Sequence, residues 1–238
     1  MDKNIEILKK WISESDNIVF FGGAGVSTES GIPDFRSVDG LYNQEWKYPP
    51  ETILSASFFR RDPEEYYRFH RAKLVIDGVK PNRAHLGLAK LEQEGKLRAV
   101  LTQNIDGLHQ AAGSKNVLEL HGSILRSYCS ACGKPYPADK MNHGEGVPHC
   151  SCGGVIRPDI VLYEEPLDES IMTRALHYIS EADVLIIGGT SLNVYPAAGL
   201  INYYRGNKLA LINLGSTPYD NEADLVINEK IGRVFGRL

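Results

Sequence analysis

Apolar runs recur along this chain, and each ends in glycine or a small polar residue: NIVFFGGAG (residues 17–25), LRAVLTQNIDG (97–107), ADVLIIGGTS (182–191) and LALINLGS (209–216). Continuous β-branched and aliphatic stretches of this kind predict strands buried on both faces. Between them, Asn82 to Glu94 and Asp168 to Glu181 carry apolar residues at helical period, and Ile5, Leu8 and Ile12 mark an amphipathic start. Strands alternating with helices predict an α/β fold, a Rossmann-like, doubly wound parallel sheet with helices on both faces. VIRPDIVLY (155–163) and ADLVI (223–227) are further strand candidates. Ligands of such sheets bind beyond the carboxyl ends of the strands, where the four polar tips would lie.

Two stretches break the alternation and predict a smaller domain. Residues 39–81 contain KYPPETILS and the aromatic-rich FFRRDPEEYYRFH, which suggest a helical insertion without a strand. Residues 122–156 hold every cysteine among many Gly and Pro, the pattern of a small module stapled by metal. Segments 1–38, 82–121 and 157–238 would form the larger domain. There is no internal repeat or low-complexity tract.

The 238 residues allow one large domain with a satellite. With 26 Lys and Arg against 30 Asp and Glu the net charge is −4 and no block is strongly basic, so duplex nucleic acid is disfavoured as a ligand. The polar start, Met1-Asp2-Lys3-Asn4, lacks the apolar core of a signal peptide, and no apolar run reaches the roughly 20 residues needed to cross a bilayer. A cytoplasmic location is therefore expected. In a reducing compartment, cysteines confined to 129–152 point to metal before disulfides.

Cys129-x-x-Cys132 and Cys150-x-Cys152 supply four thiolates in two close pairs, suited to one tetrahedral zinc, with Gly133 and Gly153 permitting knuckle turns. His143 and His149 are conceivable substitute ligands, and a redox pair is the other alternative. A closed four-sulfur site has no open coordination position, so such a metal stabilises the fold and performs no chemistry.

Gly23-Ala24-Gly25 directly after a strand would let the main chain approach a pyrophosphate, with Ser27 or Thr28 as donors. A dehydrogenase fingerprint would have glycine at the position of Thr28 and an acidic residue about 20 positions on at a second strand tip. Here that region is the helical insertion, which disfavours a dehydrogenase. The loop continues into Pro33-Asp34-Phe35-Arg36, where a buried Asp34 would need a partner or ligand and Arg36 suits phosphate. A plain surface turn is the alternative. Gln103, Asn104 and Asp106 can read a carboxamide or ribose, or merely cap a helix. His121, one of seven histidines, is either a general base or structural on composition alone.

Taken together, GAGVSTESGIPDFRS (23–37), TQNIDGLH (102–109), ELHGS (119–123), the paired cysteines, GTSLNVYPAA (189–198) and INLGSTPYD (212–220) resemble the sirtuin family of NAD-dependent protein deacylases. The resemblance implies that NAD is consumed. The acyl oxygen of an acylated lysine attacks the ribose carbon as nicotinamide leaves, giving an alkylimidate and finally free lysine with 2′-O-acyl-ADP-ribose. It implies His121 as base on a ribose hydroxyl, Asn104 as ligand of ribose and water, and Asp106 with the Ile105 backbone on the carboxamide. Phe35 would cover the reacting ribose. Ala24, Thr28 and Arg36 would serve the phosphates and nicotinamide ribose, and Ser191 the phosphates, with Gln103 and Thr190 in the same cofactor site. Asn213 and Leu214 would meet the adenosine ribose, and Lys230 and Ile231 the adenine. An acetylated peptide would add as a strand between residues near 161–165 and 193–195, its acyl-lysine passing Phe35, Val161, Tyr163 and Val194. Ordinary strand packing is the alternative for the last three.

The chain departs from the family pattern at three places. Gly22 replaces the usual threonine, Tyr163-Glu164 stands where Phe-Gly is common, and Tyr42-Asn43-Gln44-Glu45 lacks the arginine of members that prefer acidic acyl groups. Neutral short acyl groups, acetyl above all, are therefore expected. Mono-ADP-ribosyl transfer, or NAD sensing without turnover, are the competing readings.

Overall fold

The computed structural model describes residues 3–238, so Met1 and Asp2 of the polar start lie outside the described residues. In chain order the elements are α1 (Lys3–Ser13), β1 (Ile18–Gly22), α2 (Pro50–Ile53), α3 (Ala56–Arg61), α4 (Pro63–Phe69), α5 (Arg83–Gln93), β2 (Leu97–Thr102), α6 (Leu108–Ala111), β3 (Val117–Glu119) and β4 (Gly122–Cys129). They continue with β5 (Pro135–Pro137), α7 (Ala138–Asn142), β6 (Ile156–Ile160), α8 (Glu169–Glu181), β7 (Val184–Gly188), β8 (Leu209–Ile212), β9 (Leu225–Ile227) and α9 (Ile231–Phe235). No helix among the described residues is long and apolar enough to cross a membrane.

Six strands form a parallel sheet in the order β3-β2-β1-β7-β8-β9. The chain winds outward from β1 to β3 and later resumes on the other side of β1, so the direction of winding reverses between β1 and β7. That reversal opens a crevice beyond the carboxyl ends of these two strands. Every residue of β1 and β7 is buried, which is why both read as unbroken apolar runs. Ile18 and Phe20 face Leu8, Leu88 and Val234, while Val19 and Phe21 face Ala175, Ile179 and Leu200.

The strand expected in VIRPDIVLY forms as β6 but joins a second, antiparallel sheet of order β5-β4-β6. Its side chains explain the choice. Ile156, Pro158 and Ile160 are buried while Arg157 and Asp159 are half-exposed, a period-two pattern that suits a sheet covered on one face. A boundary at residue 157 therefore runs through a strand. Helices α2–α4 pack on this sheet, Phe58, Tyr66 and Phe69 sharing one core with Ile124, Met141 and Ile160.

Candidate active site

Loops from several strand ends meet beyond the carboxyl edge of the parallel sheet. The Gly25 N–H donates to the Gly189 carbonyl at 2.8 Å. A Cβ on Gly25 would lie 2.8 Å from the Gly189 Cα, and one on Gly23 2.8 Å from the Thr190 Cβ. The G-x-G glycines thus allow two loops of the protein itself to interlock. Ala24 opens the short 3-10 turn that follows, and the Thr28 hydroxyl donates back to the Gly25 carbonyl at 3.0 Å.

Ser27 is fully buried and organises the centre of the site. Its hydroxyl donates to Asp106 Oδ2 at 2.6 Å and accepts from Asn104 Nδ2 at 3.1 Å. His85 Nε2 lies 3.5 Å from the same oxygen. The His85 tautomer follows from its other nitrogen, because Nδ1 accepts the Asn82 N–H at 3.2 Å at the start of α5, so Nε2 carries the proton. Asp106 Oδ1 accepts the Leu108 N–H at 2.9 Å. Burial raises the Asp106 pKa, and the bonds from Ser27 and Leu108 oppose that rise. The sequence marks Ser27 only as a possible phosphate donor. Its partners are scattered from residue 85 to 106, so nothing local reveals the network.

His121 stands where the two sheets join. Its carbonyl accepts the Val161 N–H at 3.0 Å, and Leu120 before it donates to the Thr102 carbonyl at 2.9 Å. Gly122 after it has φ +77°, and a Cβ there would sit 2.0 Å from the Asp159 carbonyl oxygen. Only glycine lets β6 come this close. His121 Nδ1 lies 3.1 Å from the Gln103 carbonyl, which can only accept, so Nδ1 holds the proton and Nε2 the lone pair. Burial pulls the pKa of His121 below its ordinary value, with the Gln103 bond opposing.

The neighbouring tips are linked to one another. Gln103 Nε2 donates to Thr190 Oγ1 at 3.0 Å, and Arg36 Nη1 to Ser191 Oγ at 3.1 Å. Asp34 is half-buried, and its carboxylate accepts the backbone N–H groups of Arg36 and Ser37. The half-buried Phe35 ring meets Tyr42 edge-on at 5.9 Å. Ile105 packs near the helical core and accepts the Ile124 N–H at 3.0 Å. Farther along the sheet, Asn213 Nδ2 donates to the Gly215 carbonyl at 2.9 Å and Leu214 is exposed. Lys230 precedes α9, and the Ile231 side chain is buried against Gly188, so only its backbone is free to face a ligand.

Val161 is half-buried beside His121, and Val194 is half-buried in the loop after β7. Tyr163 forms a bridge with Ser55, its N–H donating to the Leu54 carbonyl and its carbonyl accepting from Ala56, both at 3.0 Å. Glu164 has φ +76°, a left-handed conformation in which glycine would be unstrained. Its carboxylate accepts the Ser57 N–H at 2.9 Å and hydroxyl at 2.8 Å, which holds its pKa below the ordinary value.

The Sγ atoms of Cys129, Cys132, Cys150 and Cys152 all lie within 4.8 Å of one another, the spacing that a four-thiolate zinc requires. His143 and His149 stand outside the cluster. His143 bridges Asp77 and Asp139, and His149 Nδ1 bonds the Val147 carbonyl. Gly133 and Gly153 take φ +71° and +88°, as knuckle turns demand. Gly154, which no spacing rule marks, is required as well, since a Cβ there would lie 2.7 Å from Cys129 Sγ.

The model of the Sir2 family matches residues 23–196. An NAD-dependent protein deacetylase of Clostridium perfringens is 60% identical over 242 residues, covering 100% of this chain and 99% of that protein. Among solved structures, a complex of Sir2 with p53 peptide and NAD+ superposes with a TM-score of 0.89 at 41% identity, covering 100% of this chain and 97% of the other. Sir2 bound to acetylated peptide gives a TM-score of 0.89 at 40% identity, with 100% and 97% covered.

Proposed function

This chain belongs to the Sir2 family, and on that premise we propose how its residues carry out NAD-dependent removal of acetyl groups from protein lysines. The products are nicotinamide, 2′-O-acetyl-ADP-ribose and free lysine. The observation that carries the assignment is His121: a half-buried, neutral imidazole with its lone pair fixed on Nε2 can take a ribose hydroxyl proton near neutral pH.

Around it, Asp106, oriented by Ser27 and the Leu108 N–H, would receive the carboxamide N–H of nicotinamide, with the Ile105 backbone beside it. Asn104 turns its Nδ2 to Ser27, which leaves its amide oxygen for ribose or water. Such preset dipoles act on a developing positive sugar more strongly than water does, because they need no reorganisation. Arg36 and Ser191 are already in contact, and phosphate would draw donors from both. Ala24, Thr28, Gln103 and Thr190 complete this end, with Asn213, Leu214, Lys230 and the Ile231 backbone toward adenosine. Phe35 would exclude water from the reacting carbon. The acetylated peptide would pair as a strand between 161–165 and 193–195, its acyl-lysine running past Val161, Tyr163 and Val194. The parallel-sheet segments hold NAD in this assignment, and 39–81 with 122–156 cover it. A single zinc on the four thiolates supplies rigidity only. A cytoplasmic, reducing setting, which keeps those thiols available, is part of the same proposal.

The test is to incubate the pure protein with an acetyl-lysine peptide and NAD and to weigh all products. Loss of the acetyl group that requires NAD and disappears in His121→Ala is expected. An unchanged peptide, or one that gains ADP-ribose, overturns the reading.

A further inference from the structure

We infer that Tyr42 and Tyr163 form a latch that makes binding of NAD and of the acyl-lysine peptide mutually dependent in this chain, Tyr42 serving as a positioning residue that acts through Tyr163. The inference rests on the placement of cofactor and peptide proposed above. The two phenol oxygens lie 2.8 Å apart, joining segments that are 121 positions distant in sequence.

The loop that carries Tyr42 is closed upon itself. Asp34 gathers the Arg36 and Ser37 N–H groups at 3.0 and 2.7 Å. Across the loop the Leu41 N–H donates to the Asp34 carbonyl at 2.8 Å and the Tyr42 N–H to the Phe35 carbonyl at 2.9 Å. Gly40 makes this closure possible, since a Cβ there would come 2.7 Å from the Phe35 carbonyl carbon. A loop bonded in this way moves as one body, so whatever positions Tyr42 also positions Phe35 and Arg36. Arg36 reaches Ser191 on the cofactor side, and Phe35 leans on the Tyr42 ring.

Tyr163 stands on a fixed post. Its backbone pairs with Leu54 and Ala56, the next residue is bonded to Ser57, and Glu165 is held by Arg157 through contacts of 2.6 and 2.9 Å. The hydroxyl is the only group that Tyr163 adds to the phenylalanine common at this position, and that hydroxyl meets Tyr42. Burial raises the Tyr42 pKa well above the ordinary phenol value, so its hydroxyl stays protonated and able to donate throughout the physiological range. A ligand that orders the cofactor loop therefore steadies the exposed Tyr163 ring on its fixed backbone, and a peptide that steadies the ring orders the loop. By thermodynamic linkage the two effects are equal.

The experiment measures binding of ADP-ribose and of an acetyl-lysine peptide to the full chain by calorimetry, each alone and each in the presence of the other. In the wild-type protein each ligand is expected to tighten the other by the same factor, about three- to tenfold for one net hydrogen bond. Tyr42→Phe and Tyr163→Phe should each bring that factor close to one, and the double variant should lower it no further. A merely structural hydroxyl would shift the melting temperature and leave the factor unchanged. Wild-type protein without mutual tightening, a Tyr42→Phe variant that retains it, or losses that add in the double variant would each overturn the latch. Failure of the proposed function would show separately, as absence of NAD-dependent deacetylation by the wild-type protein.

Discussion

At His121 burial favours the neutral ring while the Nδ1–H bond to Gln103 favours the charged one, and burial is the larger influence. The folded pKa thus lies below 6.5, and the lone pair on Nε2 is present before neutrality is reached. Plotted against pH, log kcat/KM for NAD should rise with a slope near one at acid pH and break below pH 6.5; a break above 7 would refute the assignment. Gly25 makes a second residue-level prediction. A methyl group there meets the Gly189 backbone, which cannot move aside as a flexible side chain would. Gly25→Ala should lose about 1–3 kcal/mol in urea unfolding and, on the proposed placement of NAD, raise its KM, because the strain falls on the two interlocked loops at once. The G-x-G is legible in the sequence as a place of close main-chain approach, but not that Gly189 and Thr190 are among the groups approached, since they lie more than 160 residues on. The importance of the Ser27 hydroxyl is hidden in the sequence because it depends on Asn104, Asp106 and His85, which only the fold assembles.

Among the elements, β4 deserves a prediction of its own, since it starts beside His121 and ends at Cys129. Loosening its far end by removing metal should therefore be felt at His121. Treatment with a strong chelator is expected to lower the melting temperature on the order of 10 °C and to abolish turnover, with both recovered on adding zinc. Full activity in protein shown by elemental analysis to lack metal would contradict this. The cysteine spacing announced the cluster because thiolate pairs separated by one or two residues can converge on one ion. The allegiance of β6 was harder to read. Its alternation of Ile156, Pro158 and Ile160 with Arg157 and Asp159 was the available sign, set against the unbroken runs of β1 and β7, but its length and apolar content resemble theirs. The absence of a strand from residues 39–81 is legible in their paired prolines and aromatic-rich run, and the helices at 83–93 and 169–181 in the periodicity.

Over the whole molecule, three buried histidines govern stability in acid. Burial pushes His70 and His85 down to about 4 and His109 to about 3, and His85, itself buried, disfavours the charged form of His109 further. In the unfolded chain each would titrate near 6.5, so between these values the unfolded state binds more protons and stability falls as pH is lowered. The loss should be on the order of 1 kcal/mol per pH unit for each histidine, read from denaturant melts between pH 6.5 and 4.5. His143 works in the opposite sense. Asp77 and Asp139 raise its pKa, so its contribution is complete below 6.5 and fades as pH rises through the folded value. A stability curve that is flat from pH 7 to 4.5 would contradict the buried-histidine account.

The strand order has a further consequence during synthesis. β1 is completed early, yet one of its edges waits for β7, since Ile18 pairs with Val184 only after the helical layer and the cysteine module have been made. While the ribosome is still working, IVFF can pair with β2 on one side and exposes an apolar edge on the other. The nascent chain is thus most prone to aggregate just before residue 184 leaves the exit tunnel, and the cysteine module, whose partners lie close together in sequence, is free to take up its metal during that interval.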